Sequence, residues 1–420
     1  THTHTHIYIC MMEQLLQSHS RNKKRRRRRK ENGNSTYTKQ PIECVRLHIN
    51  NISAGKIILP SLKKEENGGQ EENVICLLFL IINTLPYENI WRKWIDTKDD
   101  SSSSKTIVKV FIHAKIPDQV KSPWVKGHLI DKSFCPGWGT VELTKAMVEL
   151  ARVALLKTKE FDTDGTKNVK FLYASESCIP ICTLSYASMR LFENSNKNKS
   201  WLKVKFKPRN GYNGSSQWVP IENAGIVPPE CVCKADQWVA LTRKHAKMIL
   251  NLYDYIHGLK SNINFWPCFQ KGCASDEMYF PTLLSCCGLI PNRNNYKKYI
   301  ISDHDVVKNN ASNSSLSNGS NNNNNNSNSN VNDETQTLLL YNEINMKQRL
   351  TYVVWNYADF GNYDSNKQLC DRPEIFHELN KDLINSALKE GCIFVRKLKD
   401  SNLTAETWFK LIRTQEALKK

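Results

Sequence analysis

Apolar residues first gather in an unbroken run from Val74 to Leu85, Val-Ile-Cys-Leu-Leu-Phe-Leu-Ile-Ile-Asn-Thr-Leu. A run without alternation predicts a strand buried on both faces. It is shorter than the roughly 20 apolar residues that cross a bilayer, and Pro86 and a charged stretch follow it. Pro86 to Ile95 then suits a short helix, and Thr106 to His113 a second strand. Gly139 to Leu156 reads as a helix, with Val141, Ala146, Val148, Leu150, Val153 and Ala154 on its apolar positions. Val169 to Ala174 is a third buried strand, and Gln237 to Thr242 a strand leading into a helix through Met248 and Ile249. The last elements are an amphipathic helix starting at Ser275, a strand from Leu350 to Trp355 and a helix from Glu378 to Lys389. Strand, helix, strand is the opening of a nucleotide-binding α/β sheet, whose ligand lies beyond the carboxyl ends of the strands.

The polar stretches divide the chain. Residues 1–70 read as a disordered basic tail or stem, in which Ile57 to Leu62 is the one apolar interruption after Ser18. The alternating Thr and His of residues 1–6 read as a translated repeat upstream of Met11 or Met12 and carry no fold. Residues 71–400 are the folded domain, interrupted at 302–336 by an Asn- and Ser-rich insertion too polar to bury, and residues 401–420 a C-terminal helix.

Composition adds two qualifications. The net charge of +18 looks like a nucleic-acid signal, yet Arg21, Lys23, Lys24, Arg25 to Arg29 and Lys30 supply about half of it. Such a block is a solvated or targeting tail, or a local polyanion contact, and the domain is read without a nucleic-acid partner. The 14 cysteines include close pairs at Cys178 and Cys182, Cys231 and Cys233, Cys268 and Cys273, and Cys286 and Cys287. None has the two-residue gap of a zinc knuckle, so the expectation is a disulfide framework in an oxidising compartment.

Candidate chemistry gathers at predicted strand and helix ends. Ser275 is the expected N-cap of its helix, with Asp276 and Glu277 in the first turn, either as dipole partners or as site carboxylates. His113 ends the second strand, as a structural or a ligand-facing ring, and Glu176 lies where the third strand empties into Ser175-Glu176-Ser177-Cys178. Two Asp-x-Asp triplets occur. Asp162 to Asp164 looks like a turn, and Asp303 to Asp305, a metal-site alternative, abuts the nearly pure Asn and Ser run from Asn309 to Asn332. The loop from Lys197 to Val219 interleaves basic residues with Trp201, Phe206, Tyr212 and Trp218, as a solvated loop or as flat faces for a sugar.

Six segments occur in one order: Trp138-Gly-Thr-Val141, Phe171-Leu-Tyr-Ala-Ser-Glu-Ser-Cys-Ile-Pro180, Gln237-Trp-Val-Ala-Leu-Thr-Arg243, Asp276-Glu-Met-Tyr-Phe-Pro-Thr282, Thr351-Tyr-Val-Val-Trp355 and Phe394-Val-Arg-Lys397. In that order they resemble the core-2/I-branching glycosyltransferase family, in its plant-like branch. The resemblance implies a single GT-A-like α/β domain, a mixed sheet flanked by helices. It implies an inverting β-glycosyltransferase that moves a sugar, N-acetylglucosamine from its uridine-diphosphate donor in the first instance, to a glycan or glycoprotein hydroxyl. By resemblance Glu277 is the general base with Asp276 in support. Lys397, Arg396 and Arg372 neutralise the departing diphosphate without a metal, so no cofactor is expected, and Trp355 and Tyr357 offer faces to the acceptor. His113 and Glu176 are placed beside the substrates. Xylose or glucuronic acid is the alternative donor sugar, and a non-catalytic polyanion- or glycan-binding protein the alternative function. The family also implies residence in the Golgi and membrane association. No anchor segment is read in the chain, which leaves an incomplete amino terminus or retention by other means.

Overall fold

The computed structural model describes residues 72–97, 106–137, 139–162, 167–193, 196–205, 228–257, 274–291, 343–354 and 373–417. Its first three strands are β1 (Glu72–Ile81), which holds the continuous apolar run, β2 (Thr106–Ala114) and β3 (Lys167–Ser175). Between them lie helix α1 (Glu88–Asp96), the short helix α2 (Pro123–Gly127) and the long helix α3 (Val141–Lys157). β1 pairs in parallel with β2 on one side and β3 on the other, so Ile81, Ala114 and Ser175 end at one edge of the sheet. Residues 74–81 of β1 are all buried, as a central parallel strand with both faces covered requires.

Farther along come β4 (Ile179–Pro180), helix α4 (Leu184–Phe192), β5 (Ser200–Trp201), β6 (Val204–Lys205), β7 (Lys234–Ala235) and β8 (Ala240–Thr242). Helices α5 (Arg243–His257) and α6 (Ser275–Cys286) follow, then β9 (Ile344–Asn345), β10 (Thr351–Tyr352), α7 (Lys381–Lys389), β11 (Phe394–Val395) and α8 (Ala405–Ala417). The main sheet has the order β2-β1-β3-β8-β5-β9, made mixed by the antiparallel entry of β8. A second sheet, β10-β11-β4, brings the end of the chain to the turn after β3.

Helices cover both faces of the main sheet. One layer packs α3, α5 and α6 on Val74, Cys76, Leu78 and Tyr173; the other packs α1, α4, α7 and α8 on Ile75, Leu77, Phe79 and Leu172. In the second layer Trp91 and Trp94 of α1 meet Phe394 edge to face, with centroids 5.1 and 6.1 Å away. Their indole N–H groups donate to the carbonyls of Cys178 (3.2 Å) and Cys182 (2.9 Å). Buried indoles need such partners, and these two fix the turn that carries Glu176. Trp408 of α8 likewise donates to the Pro180 carbonyl at 2.8 Å. Trp408→Phe orphans that buried carbonyl and is expected to cost about 1–3 kcal/mol of stability, read from chemical denaturation.

Several sequence expectations need correction. Ser275 does not cap α6. Ala274 is the N-cap, at φ 43° in the left-handed region, and Ser275 is the first helical residue. Its buried hydroxyl is held instead by Thr144 Oγ1 (2.8 Å) and the Thr140 carbonyl (3.3 Å) on the neighbouring helix. Nor is α6 amphipathic: Met278 to Cys286 are buried without interruption, because the helix packs among α3, α5 and β7. Trp201 is a core residue of β5, 1% exposed, rather than a loop platform.

No disulfide forms among the described residues: Cys178, Cys182, Cys231, Cys233, Cys286 and Cys287 stay as thiols, and Cys268 and Cys273 lie outside the described residues. The buried thiols pack as small apolar groups. Burial pushes Cys76, Cys287 and Cys392 up to about 12, which keeps them protonated.

Candidate active site

The site assembles at the carboxyl ends of β1, β2 and β3, where an open α/β sheet places its ligands. Beyond Ser175 the chain turns sharply, with the Cys178 N–H donating to the Ser175 carbonyl at 3.1 Å. β4 then pairs antiparallel with β11, Ile179 opposite Val395. That register sets Arg396 and Lys397 alongside Glu176 and Ser177, and the Leu398 N–H closes the contact on the Ser177 carbonyl at 3.2 Å. Glu176 is pushed above the usual carboxylate range by burial, against the pull of the Arg396 and Lys397 charges. The Arg396 guanidinium lies over the Trp238 indole, 4.9 Å from its centroid, a cation–π seat that fixes its plane.

Helix α6 brings the acids from the other side. Its amino end is anchored by Ser275 on α3, and Thr282 Oγ1 donates to the Cys233 carbonyl (3.2 Å) and accepts from the Cys233 N–H (3.3 Å). This clamp places Lys234 against Glu277, and its ammonium pairs with Glu277 Oε2. Both side chains remain partly open, at 16% exposure for Glu277 and 21% for Lys234. Pro281 stands four residues beyond Glu277 in the helix. Having no N–H, it cannot give the Glu277 carbonyl its helical hydrogen bond.

Asp276 is part-buried, with its Oδ1 shut off from solvent. Its carboxyl is pushed up to about 7, by desolvation first and the neighbouring Glu277 second, while Lys234 and Arg396 pull it back. Asp276 Oδ1 and Arg396 Nε are buried without a hydrogen-bond partner. Buried polar atoms are nearly always satisfied, and here one acceptor and one donor of the candidate site are left open.

His113 has a structural part at the end of β2. Its Nε2 accepts the Phe134 N–H at 2.8 Å and its ring stacks on Phe134, which ties the loop beyond β2 to the sheet. Burial pushes it down to about 4, so the ring is neutral at physiological pH. Arg372, Trp355 and Tyr357 lie outside the described residues, as do Asp164 and the Asp303 to Asp305 triplet. Among the described residues no cluster of three or more His, Cys, Asp or Glu could hold a metal ion.

Lys234 and Trp238 enter the site without having been singled out for it. Lys234 has no local signal, because its partner Glu277 lies 43 positions downstream (277 − 234). Trp238 belongs to the Gln237 to Arg243 segment and reads as a strand residue until Arg396 is placed over it.

Thus a carboxylate at a buried helix start faces two fixed cations beyond parallel strand ends. The Core-2/I-Branching enzyme family model matches residues 87–386, which hold β2, β3, β4 and α6 but not β1, Arg396 or Lys397. The chain belongs to the Core-2/I-Branching enzyme family. It is 22% identical over 237 residues to Glycosyltransferase BC10 of Oryza sativa subsp. japonica, a match that covers 51% of this chain and 54% of that protein. The chain thus spans about half the length of the curated relative that it matches. The mixed sheet flanked by helices agrees with a single GT-A-like domain in this Core-2/I-Branching enzyme. Among its described residues no helix is long and apolar enough to cross a membrane.

Proposed function

We propose that this Core-2/I-Branching enzyme is an inverting glycosyltransferase that takes a sugar, N-acetylglucosamine in the first instance, from a uridine-diphosphate donor to a glycan hydroxyl. The observation that carries the reading is the meeting of Glu277 and Asp276 with Arg396, Lys397 and Glu176 at one end of the sheet. Glu277 accepts the acceptor proton, through Oε1, since Lys234 engages Oε2. The acceptor oxygen forms its bond to the anomeric carbon as the bond to the diphosphate breaks on the opposite face, which inverts that centre. The electron pair leaves with the diphosphate, and the Arg396 and Lys397 charges offset it. Asp276 Oδ1 offers an acceptor to a substrate hydroxyl and Arg396 Nε a donor to a phosphate oxygen.

The test offers the full chain uridine-diphosphate sugars carrying N-acetylglucosamine, xylose or glucuronic acid, with and without chelator, and measures uridine diphosphate released. Turnover of one donor, unchanged in chelator, is expected. Loss restored by manganese would sink the leaving-group role of the fixed cations. Lys397→Ala is expected to lower kcat/KM about tenfold to a hundredfold, because Arg396 beside it still offsets part of the charge, and Lys397→Arg to recover most of it. Golgi residence belongs to the same proposal. The sequon Asn402-Leu403-Thr404 sits in an exposed loop before α8, and a mass shift on endoglycosidase treatment, absent in Asn402→Gln, is the expected sign of passage through the lumen.

A further inference from the structure

β2 is the outer strand of the main sheet, and its outer edge is only half covered. The Ile112 N–H donates to the His128 carbonyl (2.8 Å), and the Ile130 N–H donates to the Ile112 carbonyl (2.9 Å). Both backbone groups of Ile112 therefore point away from β1. Peptide groups alternate in direction along a parallel strand, so those of Val110 and Val108 point outward as well. Among the described residues nothing bonds to them. They form the floor of a groove of about 690 Å³ that ends at residues 129–131. One wall is Ile95 and Trp124, which pack with Val108 and Val110 in the α1 layer, and the other is Val153 and Phe111 in the α3 layer. An unpaired strand edge in a groove with apolar walls and an exposed charged rim of Arg92, Asp96, Lys109, Asp131 and Lys157 is a template for one more strand.

We propose that Ile57 to Leu62 of this chain fills the groove as an antiparallel strand added to β2. The groove is walled on both faces, so its occupant needs consecutive apolar residues, and Ile57-Ile58-Leu59 supplies them in an otherwise polar stretch. Pro60 lacks an N–H and suits an outermost strand whose far edge faces solvent. The chain enters β1 at Glu72, and Asn73 stands opposite Thr106 at the start of β2. Residues 63–71 thus need to cross two strand spacings, about 10 Å, and can reach about 30 Å. The tether makes docking intramolecular, at an effective concentration of about a millimolar. A second copy is the poorer occupant, because its own β2 edge is recessed between the same two helical walls.

The test is hydrogen exchange on the full chain, read on the amides of residues 106–112, with β3 amides as the control. Slow exchange at Val108 and Val110 is expected, and Ile57→Asp, Ile58→Asp and Leu59→Asp together should speed it about tenfold or more while β3 stays unchanged. Fast exchange in the wild type overturns the proposal, and so does protection that survives the triple change. Protection that grows with protein concentration assigns the edge to a second copy, which overturns it too.

Discussion

Glu277→Gln is expected to lower the transfer rate about 10²- to 10⁴-fold, the usual contribution of a positioned general base, and to leave donor binding nearly intact. The amide keeps the shape and one oxygen of the carboxylate but cannot take a proton. The Lys234 ammonium loses its charged partner, while Arg396 and Lys397, the cations proposed to meet the diphosphate, directly follow β11, which pairs with β4 rather than with α6. Calorimetry with uridine diphosphate should therefore give a similar Kd in both proteins while turnover falls. Two results would count against the assignment. Equal loss of binding and turnover would make Glu277 a structural partner of Lys234, and unchanged turnover would move the base elsewhere. The comparison also separates transfer from binding by the basic tail, because Arg21 to Lys30 is untouched and tail-driven binding weakens steeply with salt.

The parts of this molecule that were legible in the sequence are those whose burial is complete and local. Val74 to Ile81 carries apolar residues at successive positions, and Val169 to Ala174 does so but for Lys170; only a central strand covers both faces of such a run. Where a polar group is satisfied by a distant part of the chain, local rules mislead. Ser275-Asp276-Glu277 has the composition of an exposed helix start, yet Thr144 and the Thr140 carbonyl hold a buried Ser275, and Asp276 and Glu277 are only partly open. The cysteine pairs misled for a related reason, since spacing along the chain says nothing of whether two thiols face each other or the core. Glu176 and Arg396 stand 220 positions apart (396 − 176) and meet only because β4 pairs with β11. The order of the six segments carried that meeting; hydrophobic periodicity did not.

Asp276 leads to the second large effect, on stability. Its carboxyl is raised from the ordinary 3.8 to about 7 in the folded protein. Between those values the folded state holds a proton that the unfolded chain has released, so this residue makes stability fall as pH rises through the window, and the loss is complete above about pH 7. Asp276→Asn removes the ionisation. At pH 8 it is expected to be more stable than the wild type by up to about 4 kcal/mol, and at pH 3.5 nearly equal to it. His113 works in the opposite sense. Held down at about 4 against its ordinary 6.5, it makes stability rise with pH between those values, so in the wild type the two slopes offset each other. The variant should uncover the rising His113 slope, and Asp276→Asn with His113→Gln should remove both. Denaturation midpoints across pH 3.5 to 8 measure this directly. A stability difference between wild type and Asp276→Asn that does not change with pH would mean that Asp276 stays ionised in the folded protein, with Arg396 or Lys234 as its true partner.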